Sequence, residues 1–258
     1  MKKNIGRAVI VGASSGIGYE VARLLIADGW TVALAARRTA PLEALKQLAP
    51  SRVYTACIDI THPKADETLL QLIKSMGGTD LYFHASGIGS QNPTLQPDIE
   101  LQTMHTNALG FTRMIGAAFR YFASQGKGHI AAISSIAGTR GLGQAPAYSA
   151  TKALQNTYIE SLAQLSHMRG LHIHFTDLRP GFVRTTLLGN DGNYPMLMQA
   201  NTVARAIIKA LYAKKSVVVI DHRWRILTAL WQLVPHWLWR RLKVTKVSQV
   251  KIHKRDLT

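Results

Sequence analysis

The chain has little of what would tie it together covalently or carry it across a membrane. Its 258 residues include one cysteine, Cys57, so no disulfide can close within it, and the fold must rest on its core. Its ten histidines, His62, His84, His105, His129, His167, His172, His174, His222, His236 and His253, lack the H-x-x-x-H or Cys-paired spacing of a zinc site. No metal is expected. Acids are scarce too, 14 Asp and Glu against 31 Lys and Arg, for a net charge of +17. A charged partner is therefore expected to be anionic. The apolar stretch between Arg225 and Arg240 is interrupted by Pro235 and falls short of the ~20 residues that span a bilayer. The start, Met1 to Val11, has too short an apolar run for a secretory signal. With a single cysteine besides, a cytoplasmic location is expected.

What is present is a full-sized core, at 47% hydrophobic residues, in an alternating pattern. Apolar, β-rich runs at Ala8 to Val11, Thr31 to Ala36, Arg52 to Ile58, Asp80 to Phe83, His129 to Ser134, His172 to Leu178 and Ser216 to Ile220 are separated by helix-period segments. These segments begin near Ile17, Pro41, Pro63, Ile99, Tyr148 and Thr202, with Thr61 and Asn201 placed as caps of two of them. Alternation of this kind predicts one α/β domain built on a doubly wound parallel sheet of about seven strands with helices on both faces. Cys57 is expected to be buried in its strand.

Two motifs carry chemistry. Gly12-Ala13-Ser14-Ser15-Gly16-Ile17-Gly18 lies between the first strand and the first helix. Glycines there let the backbone approach a pyrophosphate, and the helix start supplies free N–H groups and a partial positive charge. The spacing G-x-x-x-G-x-G differs from G-x-G-x-x-G, and no Gly-Lys-Ser/Thr follows, which excludes a P-loop. The second motif is Tyr148-Ser149-Ala150-Thr151-Lys152, whose phenol and ammonium share one helix face. A cation beside a phenol favours the phenolate and makes an acid–base pair.

With these motifs in register, the chain resembles the short-chain dehydrogenase/reductase family from about Arg7 to Ile220. That resemblance implies a Rossmann-like fold over residues 1–221, followed by an extension over 222–258. It implies Asn107, Ser135, Tyr148 and Lys152 as the catalytic set, with Ser135 standing thirteen residues before Tyr148. Tyr148 would pass the proton while a hydride moves between a nicotinamide and a carbonyl carbon. Ser135 would hold the substrate oxygen, Lys152 would lower the tyrosine pKa and hold the ribose, and Asn107 would bind a water leading toward Lys152. The cofactor contacts implied are Gly12, Ser14, Ser15, Gly16, Ile17, Gly18, Asp59, Ile60, Ser86, Gly87, Tyr148, Lys152, Pro180, Gly181, Val183 and Thr185. Asp59 would meet the adenine and Thr185 the carboxamide. The chain departs from the family at His84-Ala85-Ser86-Gly87, where many members have Asn-Asn-Ala-Gly. A satisfied, buried His84 is expected there.

Arg37 and Arg38 end the second strand, and Ala36 stands where NAD-specific members carry Asp. Arginine pairs with the 2′-phosphate of NADP, so NADP(H) is the expected cofactor, with Arg37 as the main reader. The extension holds four of the five tryptophans and, toward its end, Lys246, Lys251, Lys254 and Arg255, with Asp256 as its only acid. Tryptophan with arginine is the composition of a helix lying in a membrane interface. Packing on a second subunit and closure over the substrate cleft are the rival placements. No recognition motif for nucleic acid accompanies the charge. The apolar segment Leu187 to Met198 and the loop after Ser135 are expected to line the pocket. The resulting expectation is an NADP(H)-dependent oxidoreductase acting on a hydrophobic or lipid-linked substrate, as a homodimer or homotetramer. The alternative is a non-catalytic NADP(H)-binding sensor or scaffold at a membrane.

Overall fold

The computed structural model describes residues 5–185, 188 and 194–244. Its strands are β1 (Arg7–Val11), β2 (Thr31–Ala36), β3 (Val53–Cys57), β4 (Leu81–His84), β5 (Lys127–Ile133), β6 (His172–Pro180), β7 (Val183–Arg184), β8 (Met198–Gln199) and β9 (Val217–Ile220). Its helices are α1 (Gly16–Ala27), α2 (Ala40–Lys46), α3 (Ala65–Ser75), α4 (Pro97–Met104), α5 (Phe111–Gln125), α6 (Pro146–Met168), α7 (Ala200–Tyr212), α8 (His222–Gln232) and α9 (His236–Trp239). Seven strands form a parallel sheet in the order β3-β2-β1-β4-β5-β6-β9. The central strands are apolar on both faces because helices cover both. Ala8, Ile10, Val32 and Leu34 pack under α1 and α7, while Val9, Ala33, Tyr82 and Ile130 pack under α3, α5 and α6.

The order of strands reverses direction between β1 and β4, and ligands in open α/β sheets bind at that switch point, beyond the carboxyl ends of the strands. The loops after β1, β4, β5 and β6 all emerge there. They carry the glycine loop, Ser86-Gly87, Ser135 and Pro180-Gly181.

Three expectations are corrected. Cys57 is exposed, because β3 is the edge strand of the sheet; its thiol reaches the Arg37 carbonyl at 3.5 Å. Thr61 and Asn201 cap no helix. The residues preceding α3 and α7 are Lys64 and Gln199, and the Thr61 hydroxyl instead donates to Asp59 at 2.7 Å. The helical segment starting near Ile99 is two helices joined by a π-helical stretch, His105–Gly110, which contains Asn107. Such an inserted turn re-aims a side chain without ending the helix.

Residues 222–244 of the extension pack against the sheet domain. Trp224 and Trp231 are 3% and 8% exposed and belong to the core on the α1/α7 side. An Asp221 carboxylate caps α8 through the N–H groups of Arg223 and Trp224. No helix among the described residues is long and apolar enough to cross a membrane.

Candidate active site

The phosphate-binding end is built by close backbone approach. Gly12 sits at φ +92°, and a Cβ there would lie 2.5 Å from the Ser86 nitrogen, so only glycine lets β1 and β4 discharge their loops side by side. Ser15 precedes α1 with an extended backbone and makes no side-chain cap, which leaves the first N–H groups of the helix for a ligand. Thr185 closes the loop from the far side, 3.0 Å from where a Gly16 Cβ would stand. Arg38 donates to the Ser14 hydroxyl at 3.4 Å. Sequence reasoning favoured Arg37; the structure brings Arg38 to the glycine loop and leaves Arg37, also exposed, facing Asp59. Burial raises the Asp59 pKa, but hydrogen bonds from the Thr61 N–H and hydroxyl, with the charges of Arg37 and His105, carry it below the ordinary value. A bare helix start, a glycine cradle and two arginines suit a phosphorylated dinucleotide.

The catalytic end is a chain of short contacts. Ser135 follows β5; its hydroxyl accepts from the Ala137 N–H at 3.1 Å and stands close enough to the Tyr148 phenol to pull its pKa down. Tyr148 and Lys152 lie one turn apart on α6, with the ammonium 5.6 Å from the phenol ring centre. Lys152 is 4% exposed. Its ammonium donates to the Ile133 carbonyl at 3.0 Å and to Gln155 Oε1 at 2.9 Å. Burial pulls its pKa down to about 8 against the attraction of Asp177. That aspartate is itself buried and paired with Arg179 at 2.6 Å. Gly87 holds its backbone between Asn107 and Lys152, 3.8 Å from the ammonium for an added Cβ.

One expectation about this group changes. The phenol of Tyr148 is raised, not lowered, because burial outweighs the hydrogen bond from Ser135. The phenol is therefore neutral at physiological pH. Gln155 Nε2 donates to the Asn107 backbone carbonyl at 2.8 Å. Gln155, fully buried, thus bridges Asn107 and Lys152 with its own amide. The Asn107 side chain grips the backbone of Ile88, donating to its carbonyl at 2.6 Å and accepting from its N–H at 2.8 Å. Sequence reasoning missed Gln155, although its position three residues after Lys152 and seven after Tyr148 places it on the same helix face.

His84 is buried as expected but only half satisfied. Its Nδ1 meets the Tyr82 hydroxyl at 2.9 Å, and its Nε2 has no hydrogen-bond partner among the described residues. Burial and the nearby Lys152 charge hold its pKa at about 3, so the ring is neutral. Phe111 packs edge-on against it at 5.0 Å.

Beside the loop after Ser135 lies an apolar cavity of about 460 Å³. Ile136 and Leu142 from the loop after Ser135, Phe182 from the loop after β6, and Pro195 form one side; Trp224, Leu227, Leu230, Trp231 and Trp239 of the extension form the other. Trp224 packs on Phe182 and so closely on Gly181 that a Cβ there would lie 2.2 Å from its indole nitrogen. The extension is latched by Arg140, which donates to the carbonyls of Gln232 at 2.7 Å and Val234 at 2.6 Å. Trp231 donates to the Thr139 hydroxyl and Trp239 to the Gly141 carbonyl, each at 2.9 Å. Of the segment expected to line the pocket, Tyr194 stacks near Phe182 at 4.9 Å, and Leu187 lies outside the described residues. Among the described residues no group of His, Cys, Asp and Glu could hold a metal.

Comparison with known proteins agrees with this geometry. Residues 6–193 match the family model of the short chain dehydrogenases. An uncharacterized oxidoreductase of Myxococcus xanthus is 32% identical over 239 residues, covering 89% of this chain and 92% of that one. Dehydrogenase/reductase SDR family member 7B of Danio rerio is 29% identical, over 82% of this chain and 76% of its own. In fold, the chain is similar to a short-chain dehydrogenase of Sphingobium yanoikuyae solved in complex with NADPH, with a TM-score of 0.76 and 22% identity over 95% of this chain and 99% of that one. The loop, the Ser135–Tyr148–Lys152 cluster and the match over most of its length together place this chain in the short-chain dehydrogenase family of oxidoreductases.

Proposed function

We propose that the protein is an NADP(H)-dependent oxidoreductase that interconverts a carbonyl and a secondary alcohol on a hydrophobic or lipid-linked substrate, working against an anionic membrane surface through its C-terminal extension. The observation that carries the reading is the placement of Ser135 beside Tyr148, one turn from Lys152, with an apolar cavity next to the loop after Ser135. NADP(H), when bound, supplies or receives the hydride. Gly12, Gly16, Gly18 and the start of α1 would hold its pyrophosphate, Arg37 and Arg38 its 2′-phosphate, and Asp59 with Ile60 its adenine. Ser86, Gly87, Pro180, Gly181, Val183 and Thr185 would border its nicotinamide half.

The protein's own contribution is proton placement and oxygen binding. Tyr148, kept protonated by burial, gives its proton to the substrate oxygen in the reductive direction. Ser135 donates a hydrogen bond to that oxygen, stabilising the charge it gains. Lys152, held by Ile133 and Gln155, presents a cation that steadies the phenolate left behind. The apolar walls exclude water and favour a substrate with a hydrocarbon body. Leu101, Met104, Leu109 and Leu154, large apolar side chains exposed on and between α4 and α6, are the face we assign to a second copy of the chain.

Tyr148→Phe tests the mechanism. It removes only the proton-bearing hydroxyl, so NADPH affinity, followed by nicotinamide fluorescence, is expected to stay within a few-fold while ketone reduction falls by about 10²–10⁴. Retained turnover would overturn the assignment of the acid.

A further inference from the structure

The extension from His222 to Val244 has two apolar sides, and they meet at one rim. Inward, Trp224 and Trp231 are buried against the sheet domain and line the cavity. Outward, Ile226, Leu233 and Trp237 are 58%, 79% and 62% exposed and do not line it. Between the two lie Leu227, Leu230, Leu242 and Val244, which line the cavity and are themselves exposed, Leu230 by 59%. Ile226, Leu230 and Leu233 recur at helical spacing and share one face. The cavity mouth therefore opens onto the exposed apolar face, away from polar surface.

The charge around this face has one sign. Arg225, Arg240, Arg241 and Lys243 are exposed, and the segment His222 to Val244 contains no acid. Asp221 neutralises only Arg223, through an ion pair at 2.7 Å. Arg241 lies over the Trp237 ring at 5.8 Å, an arrangement that keeps the charge at the level of the ring. Exposed aliphatic side chains, a tryptophan and neighbouring cations match the headgroup region of an anionic bilayer. Water offers an exposed face of this kind nothing in return.

Resting on the carbonyl/alcohol reading above, we propose that α8 and α9 form a portal: this face seats on an anionic lipid bilayer, and a membrane-dissolved carbonyl or alcohol lipid passes between Leu227, Leu230 and Leu242 into the cavity beside Ser135 without crossing water. A substrate apolar enough to fill this cavity partitions into the bilayer by itself, and a mouth that opens on the bilayer removes the cost of extracting it into solvent. Arg140, by holding the carbonyls of Gln232 and Val234, keeps the portal seated on the catalytic loop.

The test uses the full chain with NADPH and the triple variant Ile226→Ser, Leu233→Ser, Trp237→Ser, which changes the outward face and none of the cavity lining. Binding is read by sedimentation with vesicles of phosphatidylglycerol and phosphatidylcholine. Turnover is read as NADPH oxidation with two ketones, dodecyl methyl ketone carried in those vesicles and cyclohexanone in buffer. The full chain is expected to sediment with the vesicles, and the variant to bind about tenfold or more weakly. Reduction of the vesicle-borne ketone is expected to fall in proportion, with cyclohexanone reduction unchanged. The proposal is overturned if the full chain stays in the supernatant, or if the variant reduces the vesicle-borne ketone as fast as the parent. It is also overturned if the substitutions turn a dimer into a monomer on gel filtration, which would give the face to a second copy of the chain. If neither ketone is reduced by the parent, the carbonyl reading of the site falls, and sedimentation alone still decides the docking.

Discussion

The buried polar cluster around Lys152 and the wall formed by α8 and α9 lie on either side of the loop after Ser135, yet they are held by different physics. Lys152, Gln155 and Asn107 are buried polar groups, and each is fixed by hydrogen bonds of 2.6–3.3 Å to a named partner. In low dielectric such a network tolerates one arrangement, because any broken bond leaves a buried group unpaired. The wall is held by tryptophan packing, by a few indole hydrogen bonds and by Arg140. Its contacts are broad and shape-dependent, so it can change what the cavity accepts while the chemistry stays intact. On the proposed function, reaction type and substrate choice are encoded in separable parts of this chain: substitutions in the first should alter rate and pH response, and substitutions in the second should alter stability and substrate size.

The comparison would break most visibly at Gly181, where the two parts touch. Adding a methyl at this position drives it into the buried Trp224 indole, whose nearest atom would be 2.2 Å away, so the backbone or the ring must shift. Gly181→Ala is expected to destabilise the protein by about 1–3 kcal/mol, measured by chemical denaturation with tryptophan fluorescence. An unchanged midpoint would mean that the wall is loosely seated.

A smaller effect is expected at the cofactor end, remote from the wall. Arg37→Asp should shift preference from NADPH toward NADH by about tenfold, equivalent to about 1.4 kcal/mol, through a lost phosphate pair and added repulsion. Because Arg38 reaches Ser14, Arg38→Asp should shift it as well. Dissociation constants for both cofactors decide which arginine reads the phosphate. A larger effect from Arg38 would move that role to the residue the structure brings to the loop.

The finest distinction concerns pH. Lys152 has a pKa of about 8, pulled down by burial, so its charge is present below that pH and is lost as pH rises through it. Reduction, which needs the neutral phenol and the neighbouring cation together, should hold steady below about pH 8 and decline above it. Gln155→Leu deletes a carbonyl dipole that favours the ammonium, and the decline should then begin at lower pH, by about half a unit to one unit. A rate profile unmoved by Gln155→Leu would reduce that residue to packing. A loss of turnover equal at every pH would have the same meaning.

Much of this was legible in the chain itself. The seven strands of the sheet and the glycine loop are local in origin: apolar runs of four to nine residues between helix-period segments predict a parallel sheet. A helix repeats every 3.6 residues, so Tyr148 and Lys152 had to share a face. Cys57, by contrast, was expected to be buried because a β-rich run looks the same in a central strand and at an edge. Strand order alone exposed it. The caps placed at Thr61 and Asn201 failed for a similar reason, since a hydroxyl that suits a helix start also suits a nearby carboxylate such as Asp59.

Sequence by itself determined the alternation, the loop that offers free N–H groups and the tyrosine–lysine pair, because each depends on residues within a few turns of one another. Only the tertiary structure decided that Gln155 bridges Asn107 and Lys152 and that Arg38 leans on Ser14. It also decided that the tryptophan-rich extension packs on Gly181 and the loop after Ser135. Apart from the bond between Lys152 and Gln155, these contacts join residues tens of positions apart. Their energies come from burial and from hydrogen bonds made in low dielectric, which exist only once the sheet has brought the ends of β1, β4, β5 and β6 together.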